Sequence, residues 1–153
     1  MAGGESAATG VAALKLQLSP QLDGIDWHWL ANVFERAPLG SRDPALLETS
    51  FRNSQVCCFA RVDGVLIGAG RALTDRVLWT VIYDLALLPE HQGKGLGKAI
   101  MDSLAQQAGA ANVMLYAAPG KQPFYAKLGF RPMKTAMAKF ANAEGAQTRG
   151  MIE

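Results

Sequence analysis

The sequence predicts a single-domain α/β fold, a central mixed β-sheet flanked by helices, and three observations predict it. A long β-favouring run, Val77 to Leu88, passes through a glycine turn into an amphipathic helical stripe and then a second short apolar run, the order of a parallel strand-helix-strand crossover. Upstream, two β-rich runs flank Asp63-Gly64, a dipeptide suited to a type I′ hairpin turn. The chain's 153 residues, half of them apolar and 18% charged, suffice for one substantial core and are too few for two comfortable ones.

In chain order, residues 1–10, rich in Ala, Gly and Ser, read as a flexible tail, and Val11 to Leu18 as a first strand. Ser19-Pro20 pairs a capping side chain with a proline suited to the first helical position, so a helix is predicted from there. Leu22, Ile25, Trp29, Leu30, Val33, Phe34 and Ala37 then fall on one apolar stripe. On that phase Trp29 is core, while Trp27 and His28 lie off the stripe's centre, as a partly buried surface ring and a solvated histidine in preference to pocket-lining residues. Arg36 to Arg42 read as a loop whose Arg36 and Arg42 are solvated charges, with contact to an acidic ligand group as the less favoured alternative, and Asp43-Pro44 repeats the cap-plus-proline signal before a second helix through about Asn53.

Val56 to Val62 and Val65 to Leu73 are the hairpin strands, and Gly68 and Gly70 in the second predict a bulge or a close backbone approach. After a turn at Asp75-Arg76, Val77 to Leu88 is apolar on both faces and so is predicted to be central in the sheet. Leu96, Ile100, Met101, Leu104, Ala105 and Ala108 form the helical stripe that Gly109 ends. Val113 to Ala117 reads as a strand, Gln122 to Leu128 as a short helix stopped by Gly129, and Phe130 to Phe140 as one broken or two short closing strands. The tail from Asn142 carries no signal.

The totals exclude several classes. A formal net charge of +2, from 15 basic and 13 acidic residues with no run of Lys and Arg, gives no reason to expect a nucleic-acid partner. The longest apolar runs are strand-sized, and Met1 to Ala7 lacks the basic start and long apolar stretch of a secretory signal, so no membrane association and a soluble, cytoplasmic protein are expected. Cys57 and Cys58 are neighbours that point to opposite faces of any strand, without metal-ligand spacing, and only His28 and His91 accompany them. No structural disulfide between them and no metal are expected.

The chemistry lies in Leu85-Ala86-Leu87-Leu88-Pro89-Glu90-His91-Gln92-Gly93-Lys94-Gly95-Leu96-Gly97-Lys98. A helix start leaves its first amides without partners, and glycines there let a bulky anion approach the backbone, so the stretch reads as a pyrophosphate seat. The Walker pattern GxxxxGK followed by Ser or Thr is absent, and GxGxxG fails because the glycines are spaced Gly93-x-Gly95-x-Gly97. Gln92-Gly93-Lys94-Gly95-Leu96-Gly97 fits Q/R-x-x-G-x-G/A instead.

With that signature, and with Phe124-Tyr125-Ala126-Lys127-Leu128-Gly129-Phe130 about thirty residues on, the sequence resembles the GNAT acetyltransferase superfamily over residues 11–140. The resemblance implies acetyl-CoA as co-substrate and a GNAT-like fold in which the strand Val77 to Leu88 splays from its parallel neighbour Val113 to Ala117. It implies that the backbone of Leu85, Ala86 and Leu87 pairs with the pantetheine arm. Gln92 opens the pyrophosphate loop, whose amides run through Gly93, Lys94, Gly95, Leu96, Gly97 and Lys98; the lysine side chains add charge or remain solvated. Tyr125 matches the tyrosine that protonates the departing thiolate, with a structural ring as the alternative. An Asn that family members often carry seven residues earlier is Ala118 here, so a contact there falls to backbone or to Lys121.

Asp84, a carboxylate in an otherwise apolar strand, is a candidate base for the acceptor amine, a binder of a cationic acceptor, or a paired structural acid. The expected organisation is a tail at 1–10, an N-acetyltransferase domain at 11–140 and a second tail at 141–153. The expected activity is N-acetylation of a primary amine on a small molecule: an amino acid, polyamine, arylalkylamine or aminoglycoside-like compound. Acetylation of a protein lysine or N-terminus, and a non-catalytic acyl-CoA-binding module, are the alternatives. Homodimerisation is plausible for the family, and no motif here fixes it.

Overall fold

A computed structural model describes residues 15–153; the predicted N-terminal tail and the first residues of the predicted strand from Val11 lie outside them. The chain divides into two compact units, one ending at Met114 and the other spanning Leu115–Glu153. Among the described residues no helix is long and apolar enough to cross a membrane.

The first unit holds a five-stranded sheet in the order β1 (Leu16–Ser19), β2 (Val56–Val62), β3 (Val65–Thr74), β4 (Trp79–Leu87) and β5 (Asn112–Met114). The first three pairings are antiparallel and β4 pairs with β5 in parallel, which makes the sheet mixed, as predicted. Asp63 and Gly64 take φ of 50° and 83°, the two left-handed residues that a type I′ turn requires. Helices α1 (Trp27–Arg36) and α2 (Pro44–Arg52) precede the hairpin, and α3 (Leu96–Ala108) joins β4 to β5.

Burial explains this packing. On one face, Trp27 of α1, Phe51 of α2 and Phe59 of β2 form a ring cluster with centroids 5.3–6.0 Å apart. On the other face α3 lies against Gly68 and Gly70. A Cβ added at Gly70 would sit 2.9 Å from Leu104 Cδ1, and one at Gly68 would sit 2.7 Å from Ala86 O. The predicted close approach is therefore that of α3 and of the neighbouring strand. A bulge also occurs in β3, where the register against β2 slips between Ala60 and Arg61.

Three expectations are corrected. The first helix begins at Trp27, capped by Asp26, whose carboxylate accepts from the Trp29 amide at 3.0 Å; Ser19 Oγ instead accepts from the Gln21 amide in a local turn. That start makes Trp27 the buried ring, while Trp29 is half-buried and donates Nε1–H to Leu66 O at 2.8 Å. Val77 and Leu78 are exposed members of a turn before β4. Asp75 Oδ1 accepts there from the amides of Val77, Leu78 and Trp79, bonds that hold its carboxyl below the usual range. Residues 130–140 form no strand.

In the second unit, α4 (Gln122–Lys127) ends in a Schellman-type cap: Gly129, at φ 93°, donates to Ala126 O and Phe130 to Tyr125 O. The tail read as featureless carries α5 (Ala143–Thr148), whose first turn is capped by the Asn142 side chain.

Candidate active site

The site in the first unit begins with an irregularity in β4. Ala69 faces Ala86 and Arg71 faces Tyr83, so Asp84 and Leu85 together oppose the single residue Gly70. This is a β-bulge, and Asp84 takes its left-handed step at φ 55°. On the opposite edge β5 pairs only with Trp79, Thr80 and Val81. From Ile82 onward no strand pairs with that edge among the described residues, so Leu85 and Ala86 have no strand partner there, while the Leu87 carbonyl is taken by the Gln92 side chain.

The chain then turns through a 3₁₀ segment, Pro89–His91, pinned at both ends. The Leu88 amide donates to Ile67 O at 2.9 Å, and Gln92 Nε2 donates back to Leu87 O at 2.9 Å. Gln92 therefore braces the turn against the strand. Arg36, in the last turn of α1, adds an ion pair to Glu90 at 2.7 Å. The Glu90 carboxyl is held below its usual range by its own backbone amide first and by Arg36 second.

Gly93 and Gly95 take φ of 78° and 82°, and a Cβ added to either would meet nothing within 4 Å. Their glycine identity thus answers to backbone conformation and leaves open space in front of the turn. Helix α3 starts after Gly95 with no side-chain cap, so the amides of Leu96, Gly97 and Lys98 have no intrahelical acceptor; the first closed bond runs from Ala99 N to Gly95 O. Space plus uncapped, positively polarised amides fits a phosphate group. Lys94 is exposed beside this turn. The Lys98 side chain lies along the helix in an ion pair with Asp102 at 2.6 Å, which leaves its amide as the group facing the turn.

Asp84 is engaged on both oxygens. Arg71 Nε donates to Oδ2 at 2.6 Å, and Arg42 Nη2 reaches Oδ1 at 3.4 Å. Arg71 also donates to Ser54 Oγ and lies over the Tyr83 ring, and Arg42 lies over Phe34. The loop arginine expected in solvent is thus part of the cluster. No sequence signal joins positions 42, 71 and 84, because the sheet register and the path of the α1–α2 loop create their proximity.

In the second unit Tyr125 packs edge-on against Phe124 and Phe130, with centroids 4.9 and 6.0 Å away. Burial pushes its hydroxyl above the ordinary phenol range. Lys121 precedes α4 in the same unit and accepts from the Phe124 amide through its carbonyl.

A strand edge that runs through left-handed glycines into an uncapped helix makes this an α/β protein whose backbone geometry at that turn suits a phosphate group. The sequence profile of the Acetyltransferase (GNAT) family matches residues 23–130, and the chain belongs to that family. It is 30% identical over 113 residues to GCN5-related N-acetyltransferase 1, chloroplastic, of Arabidopsis thaliana, and 32% identical over 114 residues to serotonin N-acetyltransferase 2, chloroplastic, of Oryza sativa subsp. japonica. These alignments take in 71% and 70% of this chain, and the chain spans 57% of the length of each relative. A GNAT-family acetyltransferase structure from Streptococcus pneumoniae superposes with a TM-score of 0.69 at 19% identity, covering 83% of this chain and 97% of that one, which shows the shared fold.

Proposed function

We propose that the chain moves the acetyl group of acetyl-CoA to the primary amine of a small molecule. The observation that carries this reading is the unpaired β4 edge running directly into the uncapped start of α3. An extended pantetheine arm can add to such an edge as a further strand would, while the pyrophosphate takes the amides of Gly93 to Lys98. The family match supports acyl transfer, and the likeness to a plant enzyme named for serotonin supports a small amine as acceptor.

In this reading the free amine attacks the thioester carbonyl, the tetrahedral oxyanion collapses, and the C–S bond breaks. Tyr125 gives its phenolic proton to the departing sulfur, and its raised hydroxyl supplies the protonated form that a donor needs. Asp84 is the carboxylate on the acceptor side. Each of its oxygens keeps a second lone pair beyond the arginine bonds, through which it takes the amine proton directly or by way of water.

Coenzyme A thiol release, followed across a panel of small amines, lysine peptides and N-terminal peptides, tests the proposal. Release with small amines is expected. Release with peptides alone would move the acceptor to proteins, and acetyl-CoA binding without release on any amine would leave a non-catalytic binding module.

A further inference from the structure

Arg42 holds donors that the protein does not use. Its contact with Asp84 is a single long bond of 3.4 Å, whereas Arg71 closes on the other carboxylate oxygen at 2.6 Å and gives a second bond to Ser54 Oγ at 3.3 Å. The Arg42 side chain is 36% exposed against 17% for Arg71. Its guanidinium is stacked 5.0 Å above the Phe34 ring, which orders a planar group whose five N–H donors are otherwise almost unspent. Two arginines against one carboxylate leave the cluster with a positive charge. The carboxylate next in sequence makes no ion pair with it, because Asp43 Oδ1 is turned to the Ala45 and Leu46 amides as the cap of α2.

We infer that Arg42 receives an anionic group on the acceptor, so that the amine acetylated here also carries a carboxylate or a phosphate. This rests on the proposed acetyl transfer, which brings the acceptor to the β4 bulge where Asp84 lies. The planar guanidinium fork matches two anionic oxygens, and such charge-assisted pairs are stronger than neutral ones. A net-positive site also disfavours the ammonium form of the acceptor and favours the neutral amine that attacks. By the same charge balance it repels polyamines and other polycations, and an anionic group on the acceptor supplies the missing counter-charge.

Matched acceptors test this. Each common amino acid is compared with its decarboxylated amine, and phosphoethanolamine with ethanolamine, by thiol release and by calorimetric titration into the coenzyme A-loaded protein. The best anionic member is expected to exceed its uncharged partner by about tenfold in kcat/KM and in affinity, with Arg42→Gln bringing the ratio close to one and Arg42→Lys leaving an intermediate value. The arm that shows the preference tells carboxylate from phosphate. Equal ratios in both arms, a preference for the decarboxylated member, a preference unaltered in both Arg42 variants, or no binding by any pair overturns the inference. Thiol release from amines without that preference sinks the anion site alone and leaves acetyl transfer standing. Absence of release from every amine sinks the proposed activity, and the titration still reports on Arg42.

Discussion

Arg71 Nε lies 2.6 Å from Asp84 Oδ2, tying β3 to β4 at the one residue where β4 steps through a left-handed conformation. Neither partner is solvated like a surface pair, since the Arg71 side chain is 17% exposed and the Asp84 side chain 19%. Asp84→Asn keeps the volume and removes the charge, leaving two guanidinium groups facing each other without a counter-ion. The expected loss is about 1–3 kcal/mol of stability, read as a lower urea midpoint at unchanged slope. If Asp84 also takes the amine proton, kcat falls by about 100-fold or more while acetyl-CoA affinity changes little. An unchanged kcat beside the stability loss would reduce Asp84 to a counter-ion.

Gly95 supports a second prediction because its two constraints separate experimentally. Gly95→Ala places a Cβ at φ 82°, a strain of about 1–2 kcal/mol, yet meets no protein atom within 4 Å. The new methyl group enters the space assigned to the pyrophosphate. The KM for acetyl-CoA is therefore expected to rise by about tenfold or more while the KM for the amine stays put. Equal changes in both constants would place the phosphate elsewhere.

Gly68 and Gly70 are neighbours on the face under α3, but their limits differ in kind. At Gly70 the nearest obstacle is the flexible end of Leu104, so Gly70→Ala is expected to cost about 1–3 kcal/mol through overpacking. At Gly68 the obstacle is the Ala86 carbonyl of β4, 2.7 Å from the added Cβ, and backbone cannot swing aside. Gly68→Ala should therefore be the more destabilising of the two, and it should also weaken acetyl-CoA binding by shifting Ala86. Thermal melts and acetyl-CoA titrations of the pair check the order.

Local signals in the sequence proved legible where their physics is local. Asp43-Pro44, Asp63-Gly64 and Gly109 each satisfy or free backbone groups within a few residues, and the helix, hairpin and cap form at those places. The glycine turn was legible for the same reason, since its spacing alone sets which amides stay unpaired. Ser19-Pro20 carries a cap signal too, yet the Ser19 hydroxyl is spent on Gln21, and the helix waits for Asp26. That displacement reversed the roles of Trp27 and Trp29. The arginines around Asp84 were illegible, because an ion pair between positions 42 and 84 depends on how the α1–α2 loop crosses a finished sheet.

Tyr125 carries the last prediction, and its environment gives the sign of the pH dependence. Burial raises the hydroxyl above its ordinary value of 10, so the group stays protonated across the neutral and mildly alkaline range. A donor in that state leaves kcat level toward high pH instead of imposing a falling limb near 8 or 9. The folded form also binds this proton more tightly than the unfolded form. The stability contribution is whole below 10 and is lost as pH rises through the folded value. Tyr125→Phe preserves the ring between Phe124 and Phe130 and deletes only the proton donor. It is expected to lower kcat by about 100-fold or more while changing acetyl-CoA affinity little, and to lessen the loss of stability at alkaline pH by the Tyr125 share, the buried Cys57 and Cys58 thiols keeping theirs. Single-turnover rates with a good acceptor, acetyl-CoA titrations and melts from pH 8 to 11 together decide the point, and an unchanged single-turnover rate would take Tyr125 out of the chemistry.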